Sequence, residues 1–151
     1  DDEEVSEYLR RILRKKAGDK SGLIYGLGHA VYTVSDPRAV ILRERAENLA
    51  KEKGYAYEFH LLRAVERLGP VVFAEEKGNK DVCANVDLYS GLIYHILGIS
   101  GALSTPLFAI SRIAGWCARR AEEIIFSNRI MRPAYKYLGV KQRYYPIDER
   151  I

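Results

Sequence analysis

Apolar residues in this chain recur at intervals of three and four, in blocks that glycine or proline cuts off, and hardly anywhere at alternate positions. That spacing puts them on one stripe of a helix; a half-buried strand would alternate instead. It predicts an all-α fold built as a bundle of about six helices. With 151 residues the chain is long enough for one domain with a real core, and its 48% apolar and 29% charged content excludes a disordered polymer.

Residues 4–16 read as the first helix, with Val5, Leu9 and Leu13 on one face and Ile12 beside them. The run from Ala17 to Gly22 stops it. Leu23 to Tyr32 is apolar but cut by Gly26 and Gly28, so it reads as a structured loop, with a short strand pair near 23–33 as the one exception to helix. Asp36 and Pro37 supply a cap and a first helical residue, and Gly54 ends the helix they start. Tyr55 to Leu68 reads as a helix closed by Gly69-Pro70, and Val71 to Lys77 as a shorter one closed by Gly78-Asn79. After a loop over 79–85 comes a helix from Val86 to Leu97. Thr105-Pro106 opens the longest helix, expected to reach about Asn128 with an apolar face through Leu107, Ile110, Ile113, Cys117 and Ile124. The remainder, from Met131, reads as an irregular tail.

Several function classes fall away. The net charge is only +4, and the basic clusters Arg10-Arg11 and Arg14-Lys15-Lys16 are too short for a nucleic-acid stripe. The longest apolar stretch, 103–125, is broken by Arg112, Arg119 and Arg120, so no membrane span is expected. Cys83 and Cys117 form no CxxC pair and read as two buried thiols of a reduced, cytoplasmic protein. His29, His60 and His95 are too far apart to suggest a metal site. The first residues are Asp1, Asp2, Glu3 and Glu4, unlike the basic start of a signal peptide. The only methionine is Met131, so the chain reads as a piece of something larger.

Five groups of residues could carry chemistry. His29 follows Gly26-Leu27-Gly28, where backbone can approach a ligand closely and an imidazole can move a proton near neutral pH. A histidine in a turn with no role fits the same residues. Arg38 falls in the first turn of the helix that Asp36 opens, where the macrodipole disfavours a cation, and a bound carboxylate would explain that placement. In Asn85-Val86-Asp87 either polar residue could cap the next helix. Alternatively, Asp87 is a carboxylate base whose apolar neighbours Val86, Leu88 and Leu92 provide a low-dielectric setting. Arg112 interrupts an apolar helix face with no acidic residue three or four positions away, which leaves a distant ion pair or a bound anion. Arg132 precedes Pro133 in the tail, and arginine suits bidentate capture of carboxylates. Together these describe a site for a small molecule with several carboxylates, without naming a reaction.

The motifs have a family likeness. Gly26-Leu27-Gly28-His29-Ala30-Val31-Tyr32 followed by Asp36-Pro37-Arg38 resembles the histidine loop of citrate synthases. Asn85-Val86-Asp87-Leu88-Tyr89-Ser90-Gly91 is similar to the family's aspartate motif. Residues 108–116 resemble its long C-terminal helix, and Asn128-Arg129-Ile130-Met131-Arg132-Pro133 the arginine-proline motif that follows.

The resemblance implies an all-α citrate synthase small domain over 19–104, preceded by the end of a large-domain or linker helix at 1–18. The C-terminal helix and tail of the large domain would cover 105–151. It implies condensation of acetyl-CoA with oxaloacetate to give citrate and CoA. Asp87 would remove a proton from the acetyl methyl, and His29 would donate to the oxaloacetate carbonyl. Arg38 and Arg112 would hold carboxylates, and Arg132 would reach into the partner's site of a homodimer. Gly26, Leu27, Gly28, Ala30 and Asn85 would lie near CoA, which enters as co-substrate, with no permanently bound cofactor and no metal. The family's second catalytic histidine has no counterpart here, since neither His60 nor His95 matches it, so the piece is expected to be inactive without the remainder of the polypeptide. Thr33 stands where some relatives carry a basic residue near CoA phosphates. Three other readings compete: a 2-methylcitrate synthase using propionyl-CoA, a non-catalytic CoA-binding module, and a purely structural bundle.

Overall fold

A computed structural model describes residues 1–78, 81–126, 139, 140, 143 and 145–149. The fold is all-α: among these residues there are five α-helices, two single-turn 3-10 helices at Gly101–Leu103 and Ile147–Glu149, and no strand. The helices are α1 (Asp2–Leu13), α2 (Pro37–Lys53), α3 (Ala56–Lys77), α4 (Asp87–Ile96) and α5 (Ser104–Phe126). The chain divides into two compact units, Asp1–Phe108 and Ala109–Ile151.

In the first unit α1 lies along α3. Leu9 and Leu13 meet Val72 and Ile24 in a buried cluster flanked by Val5, Ile12, Val65 and Leu68. Each side chain taken from water this way contributes roughly 1.5–3 kcal/mol. Outside the cluster, ion pairs join Asp2 to Arg67, Arg10 to Glu75 and Arg14 to Glu76 across separations of 65, 65 and 62 residues, so the two helices run in the same direction. The helix stops at Leu13, short of the predicted end at 16, because the chain turns left-handed at Lys15, with φ +60°.

A second cluster joins α2 and α4. Ala39, Ala46 and Ala50 present a narrow strip of α2 to Leu88, Tyr89 and Leu92, with Phe59 of α3 beside them. Small side chains let the helices come close, and Tyr89 fills the space between them with no exposed surface. Its hydroxyl donates to Glu66, which also takes Arg43 and Arg63, so one carboxylate ties α2, α3 and α4. Burial and that contact push the phenol well above its ordinary range.

Two expectations fail here. Gly69-Pro70 does not end a helix, since α3 runs through it to Lys77. Gly69 is buried, and a Cβ on it would overlap Leu27 Cδ1; the glycine serves close approach, not termination. The expected strand pair within 23–33 is also absent. Leu27 instead forms an isolated antiparallel bridge with Ala84.

Of the two cysteines expected to be buried, Cys83 is, and Cys117 is exposed on α5. Ile110, Ile113, Trp116 and Ile124 on the same helix are exposed too. Among the described residues no helix is long and apolar enough to cross a membrane. Nor, among them, does any group of three or more His, Cys, Asp or Glu side chains gather as a metal site would require.

Candidate active site

Residues 26–29 and 83–87, far apart in sequence, are laced together by hydrogen bonds. Gly28 N donates to Cys83 O at 2.8 Å, and Asn85 N donates to Gly26 O at 2.9 Å. The Asn85 side chain adds two more: Nδ2 donates to Gly28 O at 2.9 Å, and Oδ1 accepts from Asp87 N at 2.9 Å. Gly26, at φ +88°, and Gly28, at φ +93°, supply the left-handed turns that shape the loop, which a side chain would strain.

His29 sits on this loop, exposed at its outer edge. Its Nδ1 accepts from the backbone N–H of Val31 at 3.0 Å and of Tyr32 at 3.1 Å. A nitrogen that accepts twice carries no proton, so the proton of the neutral ring is on Nε2. That atom stands 3.4 Å from Nη2 of Arg38. Both are donors in this tautomer, so two N–H-bearing nitrogens stand side by side with no acceptor between them. A carbonyl or carboxylate oxygen set there would satisfy both.

Arg38 is held from behind. Its Nε and Nη2 donate to Asp36 Oδ1 and Oδ2 at 3.0 and 2.8 Å. The Asp36 side chain is fully buried and also accepts from Arg38 N at 3.0 Å as the cap of α2. The hydrogen bond from Arg38 keeps the Asp36 carboxyl below its usual range, against the opposing effect of burial. In return Asp36 keeps Arg38 firmly charged, with smaller help from the more distant charge of Asp87. The cation at the start of α2 therefore has a partner two residues upstream, and a bound carboxylate is not needed to explain it. Tyr32 packs against both residues, its ring centroid 4.9 Å from that of His29 and 5.7 Å from the Arg38 guanidinium carbon.

Asp87 is the first residue of α4 and its side chain is exposed. The helix has no side-chain cap from Val86, and Asn85 instead holds the Asp87 N–H. The apolar neighbours do not enclose the carboxylate: Leu88 and Leu92 face the core, on another side of α4. The low-dielectric setting expected around Asp87 is thus not provided by these residues. A hollow of about 570 Å³, lined by Tyr8, Leu9, Ile12, Tyr25 and Leu61 among others, contains none of His29, Arg38 and Asp87.

Similarity to known proteins identifies the lineage of this arrangement. The family described as "Citrate synthase, C-terminal domain" matches residues 1–134. This chain belongs to the citrate synthase family.

A citrate synthase of Synechocystis sp. is 40% identical over 150 residues, covering 99% of this chain and 35% of that protein. A 2-methylcitrate synthase of Shewanella oneidensis is 38% identical over 120 residues, covering 80% of this chain and 30% of that one. Among solved structures, citrate synthase from Thermoplasma acidophilum, in ternary complex with carboxymethyl coenzyme A and oxaloacetate, shares 29% identity at a TM-score of 0.62. That match covers 97% of this chain and 42% of the other. The chain spans about a third of the length of curated relatives, 32% and 35% in two cases.

The citrate synthase motifs are unevenly represented in the site. His29, Arg38, Asn85 and Asp87 come together in the first unit. Arg112 is exposed on α5 in the second unit, and Arg132, with its whole motif, lies outside the described residues. Of the residues expected near CoA, Gly28 has open space where a Cβ would be, and Ala30 is exposed. Gly26 and the Leu27 side chain are committed to packing against Leu88 and Gly69, so only their backbone could meet a ligand. Sequence reasoning did not assign Asp36 or Tyr32 to the site. The signal for Asp36 was its place two residues before an arginine at a helix start, where cap and ion pair can be one carboxylate.

Proposed function

We propose that this chain is the part of a citrate synthase that supplies His29 and Asp87 for the condensation of acetyl-CoA with oxaloacetate. The observation that carries this is His29 Nε2 standing 3.4 Å from Arg38 Nη2, with His29 on a loop hydrogen-bonded to the segment bearing Asp87. An α-keto dicarboxylate offers the complementary oxygens. Its carbonyl would accept from His29 Nε2, and a carboxylate would pair with Arg38.

Asp87 would take a proton from the methyl carbon of acetyl-CoA, leaving an enolate. The enolate carbon would attack the oxaloacetate carbonyl carbon, and the carbonyl oxygen would take the Nε2 proton of His29 as the C–C bond forms. Water would then cleave the thioester to give citrate and CoA. A charged carboxylate gains basicity when water is excluded, so an exposed Asp87 fits a site completed by closure around the substrates.

Residues 19–104 would act as the small domain. The C-terminal helix and tail would join a large domain contributed by the remainder of the polypeptide, with Arg112 and Arg132 binding further carboxylates in a homodimer. On this reading the chain alone is inactive. It would work in the cytoplasm with CoA as co-substrate and no resident cofactor.

The similarity to a 2-methylcitrate synthase makes propionyl-CoA the competing donor, a difference of one methylene worth about 1–3 kcal/mol. The deciding experiment is CoA-thiol release by the full-length protein with each donor, with and without oxaloacetate. Faster release with acetyl-CoA supports the proposal, and faster release with propionyl-CoA moves it to the 2-methylcitrate reaction. Absence of oxaloacetate-dependent release with both rejects it in favour of a CoA-binding module.

A further inference from the structure

Asn85 does more than the resemblance assigns to it. Its backbone N–H reaches Gly26 O, its Nδ2 reaches Gly28 O, and its Oδ1 receives Asp87 N. Both heteroatoms of the amide are thus engaged inside the protein. The orientation is unambiguous, because exchanging O and N would set oxygen against the Gly28 carbonyl and NH2 against the Asp87 N–H. Backbone pairing by itself joins the two segments only as far as Gly28 and Asn85. The side chain carries the connection on to both functional residues, since Gly28 adjoins His29 and the Asp87 amide is held directly. The Asp87 carboxylate makes no hydrogen bond to a described residue, so its direction depends on its own backbone.

We propose that Asn85 is a positioning residue: its amide sets the distance between His29 and Asp87 and so governs turnover, not thioester binding. This rests on the reading that His29 and Asp87 act on the same two substrates. No other side chain reproduces the clamp. Aspartate would keep the acceptor for Asp87 N but put oxygen against Gly28 O, and alanine would remove both ends.

The test uses the full-length protein with Asn85→Ala, Asn85→Asp, Asp87→Ala and the Asn85→Ala/Asp87→Ala pair. Thiol release gives kcat and KM for acetyl-CoA, and amide hydrogen exchange is followed over residues 26–30 and 85–88. Misplacement of reacting groups by about 1 Å costs on the order of 100-fold, so both Asn85 variants should lose about that much kcat. KM for acetyl-CoA should stay within about threefold, and the double variant within about threefold of Asp87→Ala, because removing the base leaves nothing for Asn85 to position. Exchange at the Gly28 and Asp87 amides should accelerate while that in α1 does not.

A raised KM with unchanged kcat would overturn the proposal and return Asn85 to the thioester. So would losses that multiply independently in the double variant, or exchange that does not change. If the wild type shows no oxaloacetate-dependent release, the reaction assignment fails separately, and the exchange measurement still decides whether Asn85 couples the two segments.

Discussion

Gly26 backs onto Leu88 with no room for a side chain: a Cβ at 26 would stand 2.7 Å from Leu88 Cδ1 and 2.9 Å from its Cα. The histidine loop is therefore seated against the first turn of α4, one residue from Asp87. Because the Leu88 Cα belongs to a helix, it cannot step aside as a flexible side-chain tip would.

Gly26→Ala should be severe for that reason. The new methyl meets helix backbone at a position whose φ of +88° already disfavours any side chain. A destabilisation of roughly 2–4 kcal/mol is expected from overpacking and left-handed strain together. Urea unfolding of variant and wild type measures it, and an unchanged midpoint would show that the loop does not sit on Leu88.

Gly69→Ala separates two opposing effects. Alanine gains about 1 kcal/mol of helix propensity over glycine in α3, but its methyl overlaps Leu27, and overpacking costs about 1–3 kcal/mol. A net loss is expected, with turnover falling as Leu27 pushes the loop that bears His29. A more stable variant with full activity would mean that Leu27 moves aside freely.

Asp36→Asn keeps a good helix cap while removing the charge that holds Arg38. KM for oxaloacetate should rise several-fold with kcat less affected. The stability difference from wild type has a defined pH window. Asp36 is depressed in the folded state, so its contribution is fully present above the unfolded value of about 3.9 and is lost as pH falls through the lower folded value. Unfolding midpoints of the two proteins should differ by a constant amount from pH 8 to 5 and converge below about pH 4. A gap that closes nearer neutrality would point to a different group.

Asp87→Asn should lower kcat by about 100- to 10,000-fold, the usual range for a general base, with oxaloacetate binding nearly intact. Isothermal titration with oxaloacetate beside a turnover assay separates the two effects. Loss of both together would identify Asp87 as a structural residue at the start of α4.

Local signals located α1 and α2 well because they were reinforced in place. Asp36, Pro37 and Gly54 mark the ends of α2 by their own backbone preferences, and the Val5-Leu9-Leu13 stripe found its burial against α3. Gly69-Pro70 misled because glycine has two uses. The dipeptide reads as a stop when only local propensity counts, whereas the fold spends Gly69 on admitting Leu27, a residue 42 positions away whose approach no local pattern announces. Asn85 and Asp87 were visible as candidates, but which of them holds the helix start depended on where the Asn85 amide found its second partner.

From sequence alone came the helical class, most of the helix boundaries and the choice of His29, Arg38, Asn85 and Asp87 as candidates, because these are matters of periodicity, breaker residues and motif. Tertiary structure alone decided that residues 26–29 pair with 83–87, that Asp36 grips Arg38 from a buried position, and that His29 Nδ1 accepts from the Val31 and Tyr32 amides. Each of these depends on which donor meets which acceptor once segments distant in the chain are packed together, and hydrogen bonds act only over a few ångströms.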